Sequence, residues 1–299
     1  MTGSTSVALP PIAAQRADEP LRGILLVIGA LLLFSTSDAT AKYVTRTLPA
    51  IEVAWVRYAV FVLLTLAPAV RQGPALLRTR RLWLQLGRGV AVALSALLFI
   101  LGLGKLPLAE AAAINFVSPL FITALSVPML GEKVGLRRWL ALAVGLGGVV
   151  LAAHPGSGAF QAAALYPLLS AAAWAIGMIF TRQLAATDRP ATTLAWSALS
   201  GLALLSVFLP GEARLPDATE LWLCILIGVV AASGQFLVVL GYRLAPASLL
   251  APFSYLQLIS SGLLGYIVFA ARPGNSTILG AAVIAGSGLY TASRERARR

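Results

Sequence analysis

Two ionisable residues, Asp38 and Lys42, stand inside one of the most apolar stretches of the chain. They are four residues apart, so on a helix their side chains share one face. An acid and a base in apolar surroundings either line a pathway for polar molecules or tie helices together, and a lysine stem can also carry its charge out to water. The spacing therefore predicts a cation or proton position at Asp38, with a structural pair as the alternative, and it favours a structural role for Lys42.

Two prolines that interrupt apolar runs carry a second group of polar residues. A proline inside a helix removes one backbone hydrogen bond and frees a carbonyl, and apolar helices tolerate such breaks where they line a cavity or where neighbours satisfy the freed group. The hydroxyl and amide groups nearby could bind a polar ligand, or they could only join neighbouring helices, at about 1 kcal/mol each. The residues at these two breaks are Asn115, Ser118, Pro119, Pro252, Tyr255 and Gln257.

Five more side chains complete the predicted lining by adding aromatic and apolar faces and further amide and hydroxyl groups. Ordinary packing, or a place where apolar surroundings meet water, is the alternative explanation for each aromatic ring. The combination suits a small amphipathic molecule, because rings receive an apolar side chain while polar groups receive charged ends. These side chains are Ser95, Phe99, Trp174, Met178 and Gln235.

The composition decides which class of protein can hold such residues. Of 299 residues, 59% are hydrophobic and 11% are charged, and the mean hydropathy is +0.86. Soluble domains carry about 25% charged residues, so this chain has too little polar surface for a soluble body and is predicted to be an integral membrane protein. Its net charge of +12 then belongs to loops that flank a membrane rather than to a nucleic-acid-binding surface.

One cysteine, Cys224, and one histidine, His154, limit the chemistry that the chain can perform. Disulfide frameworks and thiolate metal sites need several cysteines. Hydrolytic sites in membranes need a cluster of histidine and acids or a serine paired with a histidine, whereas His154 is predicted to lie in a loop. We therefore expect no catalytic residue, no metal and no cofactor, and an intramembrane enzyme is the remotest alternative.

Ten apolar runs approach the length of about 20 helical residues that crosses the hydrocarbon core. Short connections rich in proline, glycine and charge separate them, so no soluble domain is inserted. The predicted fold is an all-α integral membrane protein with ten transmembrane helices. The predicted spans are Gly23–Val44, Ile51–Val70, Leu82–Leu103, Leu108–Leu130, Trp139–Ala153, Gln161–Leu184, Thr192–Leu209, Leu221–Tyr242, Ala247–Ala270 and Ser276–Ala292.

The lysines and arginines are divided unevenly between the two sides of these spans. With the N-terminus in the cytoplasm, all but six of the 23 basic residues fall on the cytoplasmic side, as the positive-inside rule requires. Both termini are therefore predicted to be cytoplasmic, with residues 1–20 a disordered tail and residues 294–299 a basic tail. The six basic residues on the outer side are Lys42, Arg46, Arg57, Lys105, Arg214 and Arg272.

The chain also aligns with itself at an offset of 139 residues. Each half, residues 21–154 and residues 155–293, would hold five spans, and because five is odd the second half enters the membrane upside down. Inverted repeats are typical of secondary transporters, whose substrates bind near the middle of the membrane. The aligned pairs include Trp83 with Trp222, Gly89 with Gly228, Gly102 with Gly241 and Pro107 with Pro246.

Several of these features together resemble the drug/metabolite transporter superfamily, EamA type. The shared marks are an aromatic-to-basic spacing in two spans, a proline in the fourth span, a glycine and an acid after it, and glycines after a tryptophan. The second half departs from the pattern, because Ala270 stands where Gly131 stands in the first half. The matching residues are Phe34 and Lys42, Trp174 and Arg182, Pro119, Gly131 and Glu132, and Trp139, Gly145 and Gly148.

This resemblance covers nearly the whole chain beyond the N-terminal tail. It implies ten helices in two inverted five-helix repeats, and a secondary transporter that exports small metabolites by alternating access through a central cavity. The chain most resembles the YddG-like exporters of aromatic and other amino acids, so the expected substrate is a neutral amino acid and the expected location is the bacterial inner membrane.

Several alternatives to these expectations stay open at the level of the sequence. A multidrug or nucleotide-sugar transporter of the same fold is the alternative function. Proton coupling and facilitated diffusion are both compatible with the few buried carboxylates. The sequence is also compatible with either a monomer or a dimer.

Overall fold

The computed structural model describes residues 20–67, 73–131, 135–152, 162–184, 187–209, 214–244 and 255–296, together with Phe253. Within these ranges the regular structure is helical. We number the helices by span, with the fourth span in two parts. They are α1 (Pro20–Val44), α2 (Ala50–Leu66), α3 (Leu82–Lys105), α4a (Leu108–Asn115), α4b (Ser118–Leu130), α5 (Leu136–Ala152), α6 (Leu165–Leu184), α7 (Pro190–Phe208), α8 (Ala218–Leu244), α9 (Leu256–Phe269) and α10 (Asn275–Arg296).

Six stretches of the described chain are long and apolar enough to cross a membrane: Leu21–Val44, Leu82–Lys105, Leu108–Leu130, Ala162–Leu184, Pro190–Phe208 and Ala218–Val238. Shorter apolar helices lie in α5, α9 and α10, and the remaining span, α2, carries Glu52 and Arg57. This series confirms the predicted all-α membrane fold. The start of the predicted ninth span, residues 247–252, lies outside the described residues.

The fourth span is interrupted, as the proline in it predicts, but the interruption comes before the proline. α4a ends at Asn115, and α4b begins at Ser118 with Pro119 in its first turn, where no helical N–H is required. Between them the N–H of Val117 bonds to the carbonyl of Ile114, a tighter turn than an α-helix makes. The proline therefore starts the second half of the span rather than bending its middle.

The helix contacts repeat when the two halves of the chain are exchanged. α1 packs on α8, and its counterpart α6 packs on α3; in the same way α3 packs on α7 and α8 packs on α2. The pairs α5–α10 and α2–α7 each consist of a helix and its own counterpart in the other half, so the exchange leaves these pairs unchanged. An internal two-fold axis produces this pattern, which confirms two five-helix repeats, and the odd number of spans makes them inverted.

The two repeats are interleaved rather than set side by side. The helix pairs α1–α8 and α3–α6, each with one helix from either repeat, are among the most extensive contacts in the fold. One buried apolar cluster likewise draws on both halves, and it includes Val53, Ile114, Leu205 and Ile227. The hydrophobic core therefore belongs to the whole bundle, and neither repeat has a core of its own.

Glycine sets two of the crossings, at the same place in each repeat. A Cβ atom on Gly89 of α3 would lie 2.9 Å from Ser197 Cα of α7, and one on Gly228 of α8 would lie 2.6 Å from Val60 Cβ of α2. Neither distance leaves room for a side chain, so the helices approach this closely only because both positions lack one.

The outside of the bundle is apolar. Trp83, Leu136, Val207 and Ile259 are each more than two-thirds exposed, at 83%, 74%, 74% and 68%. In water so many exposed large apolar side chains would be unfavourable, whereas lipid tails solvate them. The surface therefore agrees with the membrane class that the composition predicts.

Candidate functional site

Asp38 and Lys42 lie on one helix, as their spacing predicts, but each bonds to a different part of the structure. Lys42 Nζ donates to the carbonyls of Leu103 and Leu106, at 2.7 and 2.5 Å, and lies 5.6 Å from the ring centre of Phe269. These carbonyls end α3, where the helix dipole favours a cation. Lys42 is therefore a cap that holds α1 to the end of α3, and it bonds to these carbonyls rather than to Asp38.

Asp38 faces the ninth span instead. It is 8% exposed, and Gln257 Nε2 of α9 donates to its Oδ2 over 3.4 Å. The positive charge of Arg57 on α2 acts on this carboxylate electrostatically. The contact of Asp38 with Gln257 joins two of the predicted site residues.

Three serines join α1 to α9 one turn away from this carboxylate. The hydroxyl of Ser35 lies 2.5 Å from that of Ser260 and 3.4 Å from that of Ser261, and all three are buried. Ser35 also donates to the backbone carbonyl of Gln257 over 3.4 Å. A polar seam of hydroxyl, amide and carboxylate groups therefore runs along the α1–α9 contact.

The break in the fourth span meets the start of α9 at a pair of aromatic rings. Phe116, in the break between α4a and α4b, has its ring centre 5.8 Å from that of Tyr255, immediately before α9. Asn115 precedes this pair, and its side-chain Oδ1 is buried with no hydrogen-bond donor among the described residues. Ser118, half-buried, begins α4b on the other side of the break. The break in the fourth span thus holds a buried acceptor without a donor in the described structure and one of two rings in contact.

Ser95 and Phe99 take part in packing between helices. Ser95 Oγ lies 3.0 Å from Ser170 Oγ of α6, and Ser170 also donates to the backbone carbonyl of Ser95 over 2.8 Å. Phe99 packs against the buried apolar cluster. For Ser95 the structure shows the interhelical bonding that we considered as the alternative to ligand binding.

The other predicted lining residues are not joined by a hydrogen bond or a ring contact in the described structure. Trp174 and Met178 are half-buried on α6, and Gln235 is half-buried on α8. Pro252 lies outside the described residues.

A buried arginine that our sequence reasoning did not select anchors one end of the bundle. Arg88 of α3 is 8% exposed, and its Nε donates to Thr181 Oγ1 over 2.7 Å. Its Nη1 donates to the carbonyl of Thr193 over 3.3 Å and to the hydroxyl of Ser197. Its position inside the apolar run of the third span was the signal in the sequence. We call this group, with Thr79, Gln85 and Asp188, the Arg88 cluster.

Gln85 connects Asp188 to Thr193, whose carbonyl accepts from Arg88. Its amide donates to Asp188 Oδ2 over 2.6 Å and to Thr193 Oγ1 over 3.2 Å. Thr79 donates to the same carboxylate oxygen at 2.5 Å. The cluster joins the start of α3, the end of α6 and the start of α7 around one buried cation and one acid at its rim.

A second polar cluster lies at the other end. Glu52 of α2 and Glu220 of α8 are 4% and 7% exposed, and both bond to Arg214: its backbone N–H to Glu52 Oε1, and its guanidinium to Glu220 Oε1. The guanidinium also donates to the carbonyl of Thr47 over 3.0 Å. The N–H of Asp217 donates to Glu220 Oε2 over 2.9 Å. We call these residues the Glu52 cluster.

An interleaved helical bundle with an internal two-fold axis, an interrupted fourth span and polar groups between its helices has the architecture of a secondary transporter. The model of the EamA-like transporter family matches the chain twice, over residues 21–153 and 161–292, and the chain belongs to this family. The protein is therefore a membrane transporter of small metabolites and not an enzyme.

The chain is similar over its length to proteins with named substrates. It is 32% identical to a riboflavin transporter of Rhizobium johnstonii, covering 98% of this chain and 96% of that one. It is 27% identical to an S-adenosylmethionine uptake transporter of Rickettsia prowazekii, covering 92% and 94%. A solved crystal structure superposes with a TM-score of 0.65 over 94% of this chain and all of the other, at 21% identity, which shows a shared fold.

Proposed function

We propose that this transporter carries a heteroaromatic metabolite with a polar chain, of the class to which riboflavin belongs, across the bacterial inner membrane. Two observations carry the proposal: Phe116, at the break in the fourth span, contacts Tyr255 at the start of α9, and the neighbouring residue Asn115 has a buried acceptor without a donor among the described residues. Aromatic side chains stack on a flat ring. A ring N–H of the substrate can donate the hydrogen bond that the buried amide oxygen lacks. The similarity to the riboflavin transporter supports the same substrate class.

The hydroxyl and carboxylate groups along the α1–α9 contact suit the polar part of such a molecule. Ser35, Asp38 and Gln257 are buried or half-buried, and Ser35 and Asp38 each bond to Gln257. A hydroxylated chain can exchange hydrogen bonds with them without leaving a buried polar group unpaired.

The second candidate is an exporter of aromatic and other neutral amino acids. Asp38 favours it, because a buried carboxylate beside an amide is a partner for an ammonium group. Arg57 of α2, whose charge acts electrostatically on the same carboxylate, would receive the carboxylate end of the amino acid. Both candidates use the same site and differ in which part of it binds the charged or polar end.

Alternating access in this fold should move pairs of helices drawn from both repeats. The pairs α1–α8 and α3–α6 are packed too closely to separate when residues 21–154 move against residues 155–293 as units. We therefore propose that each pair moves as one body, with the site between them. Lys42 then closes one end by bonding α1 to the carbonyls of Leu103 and Leu106.

We assign the Lys42 end to the outside and both chain termini to the cytoplasm. The uneven distribution of lysine and arginine supports this orientation. A green fluorescent protein fused to Arg299 should fluoresce, because the fluorophore matures in the cytoplasm. An alkaline phosphatase fusion that is active at the same position would reverse the orientation.

Counterflow into vesicles tests the substrate. Purified protein is placed in vesicles loaded with unlabelled riboflavin, and the uptake of labelled riboflavin is measured, with phenylalanine and tryptophan tested in parallel. Riboflavin exchange should be strong in the native protein and weak in Asn115→Ala and Tyr255→Ala. Thr36→Ala, a change at an exposed position of α1, is the matched control and should exchange normally.

The outcome decides between the two candidates. Exchange of phenylalanine or tryptophan without exchange of riboflavin would establish the amino acid exporter. Exchange of none of these compounds by folded protein would contradict both.

A further inference from the structure

The segment that leads into α3 carries arginines at the edge of the membrane. α3 begins at Leu82, and the apolar stretch Leu82–Lys105 is long enough to span a membrane, so the residues just before it lie at the depth of the lipid headgroups. Residues 78–81 and 187–189, which a hydrogen bond joins, hold four arginines and one acid. This edge of the bundle is therefore strongly positive.

Hydrogen bonds fix the backbone of this segment and leave two of its side chains free. Thr79 Oγ1 donates to Asp188 Oδ2 at 2.5 Å and accepts from the N–H of Arg81 at 3.0 Å. The backbone N–H of Arg80 also donates to Asp188. Arg78 and Arg80 are exposed, and neither guanidinium makes a hydrogen bond or an ion pair with the described residues. Two guanidinium groups are thus anchored through their backbone with donors free for an anion.

Arg78 and Arg80 are close enough together to bind one phosphate group. The Cα atoms of residues two apart are separated by at most about 7 Å, and an arginine side chain is nearly as long as this distance. A guanidinium fork fits a phosphate group with two parallel N–H···O bonds. The pair therefore suits an anionic phosphate ester.

An apolar stripe on α3 continues from these arginines into the membrane. Trp83, Val90 and Leu94 are 83%, 38% and 40% exposed, and their spacing puts them on one face of the helix. Trp83 is three residues from Arg80, and tryptophan rings prefer the depth of the headgroups. A pair of cations at the end of an exposed apolar stripe matches a phospholipid, whose phosphate is anionic and whose acyl chains are apolar.

The matched place in the second repeat has the same tryptophan and the opposite charge. At the offset of 139 residues Trp83 corresponds to Trp222, which is 71% exposed. An exposed tryptophan at the start of the helix is therefore common to both repeats, whereas the arginines before it belong to the first repeat and face acids or a threonine in the alignment. The residues that correspond to Arg78, Arg80 and Arg81 are Asp217, Thr219 and Glu220.

We propose that Arg78, Arg80 and Trp83 form a binding site for one anionic phospholipid, with its phosphate on the two guanidinium groups and an acyl chain along the stripe of α3. Zwitterionic phospholipids fit less well, because their ammonium group brings a second positive charge towards the arginines. The site faces the lipid on the outside of the bundle, so it is separate from the substrate site proposed at Phe116 and Tyr255 and does not depend on which substrate is carried.

Native mass spectrometry of the full-length, delipidated protein in detergent measures this binding directly. Phosphatidylglycerol and phosphatidylcholine with identical acyl chains are titrated, and the protein should bind one phosphatidylglycerol about twentyfold more tightly, since each arginine contributes about fivefold in affinity for an anionic lipid. The double variant Arg78→Gln, Arg80→Gln should lose this preference. Arg22→Gln combined with Arg272→Gln removes the same charge at exposed positions elsewhere and should keep it.

The matched tryptophans test the apolar part of the site. Trp83→Ala should weaken the binding of phosphatidylglycerol about fivefold, because the ring packs against the lipid. Trp222→Ala removes an equally exposed ring beside acids and should leave the binding unchanged. Equal losses in the two variants would contradict a site that belongs to the first repeat.

Photo-crosslinking locates the lipid in the native protein, independently of any variant. A phosphatidylglycerol with a photoreactive group in its acyl chain should label residues 83–94 of α3 and not the matched residues 222–233 of α8. Equal affinity for the two phospholipids, loss of the preference in the control double variant, or labelling of α8 in place of α3 would each overturn the proposal. Soluble glycerol 3-phosphate should not displace the lipid, and displacement would show that the arginines bind free phosphate esters instead.

Discussion

The Arg88 cluster and the Glu52 cluster occupy equivalent places in the two repeats and are built from opposite chemistry. Each joins the start of one helix to the end of a second and the start of a third: α3, α6 and α7 at one end, α8, α1 and α2 at the other. At the offset of 139 residues, Gln85 corresponds to Cys224 and Arg88 corresponds to Ile227. The backbone arrangement is shared, whereas the residues that hold it are not.

The difference lies in the balance of charge. Around Arg88 the direct partners are neutral hydroxyl and carbonyl groups, and one acid, Asp188, balances the cation through Gln85. Around Glu52, two buried acids share Arg214. Symmetric packing can therefore coexist with asymmetric electrostatics. The inward-open and outward-open states of a transport cycle then need not be equally stable.

The largest effect should come from removing the buried arginine. Arg88→Ala leaves a cavity and takes the charged donor from Thr181, Thr193 and Ser197, so we expect a loss of about 3 kcal/mol in the free energy of unfolding. Arg88→Met keeps the volume and should lose less. Unfolding in mixed detergent measures both losses. Equal stability of Arg88→Ala and the native protein would show that Arg88 does not anchor the helices.

Glycines at the two matched crossings should show the next largest effect. Gly89→Ala and Gly228→Ala should each cost about 2 kcal/mol, because the new Cβ meets Ser197 Cα or Val60 Cβ at less than van der Waals distance. Gly89→Ala should cost more, since a backbone atom cannot move aside. Gly147→Ala is the control; in the described structure no atom beyond its chain neighbours and its own helix backbone lies within 4 Å of its Cβ position, so thermal unfolding should show no loss.

Asp188 should make the stability of the Arg88 cluster depend on pH. Burial alone would raise the pKa of this carboxyl, but hydrogen bonds from Thr79, Gln85 and Thr187 outweigh it and hold the pKa below its ordinary value of 3.8. The stabilisation is therefore fully present above that value and is lost as the pH falls below it.

Asp188→Asn tests this dependence. The variant should be less stable than the native protein by about 1 kcal/mol at neutral pH, and the difference should shrink below about pH 4. A difference that stays constant from neutral to acid pH would show that the carboxylate charge is not what stabilises the cluster.

The smallest effect concerns the ends of α4b and α9, which are also matched. Gly131 and Ala270 both adopt a left-handed backbone, with φ of +69° and +52°. This conformation costs alanine about 1 kcal/mol and glycine little, so Ala270→Gly should stabilise the protein and Gly131→Ala should destabilise it by a similar amount. Thermal unfolding checks both, and changes of the same sign would mean that the two ends are not equivalent.

Much of the fold could be predicted from the sequence because lipid imposes a simple rule on composition. Apolar runs of the right length must be helices, since their backbone groups find no partner in hydrocarbon. The ten spans, the repeat and the interruption near Pro119 follow from this rule and from the offset between Gly89 and Gly228.

The candidate site could be predicted only in part. Asp38 and Gln257 were selected as polar residues in apolar runs, and the structure brings them together. The sequence of a single apolar run does not specify which neighbouring helix each of its faces contacts. The bond of Ser95, a predicted lining residue, to Ser170 of α6 therefore could not be predicted. Arg88 was counted among the loop charges although it lies within a span.

The sequence by itself determined the class, the number of spans and the two-fold repeat, because hydrophobicity and self-similarity can be read along one dimension. Only the tertiary structure decided the partners: Lys42 with the end of α3, Asp38 with Gln257, and the two acids around Arg214. Pairing depends on how helices from different repeats rotate and interleave, and that rotation is settled by packing among all ten spans at once.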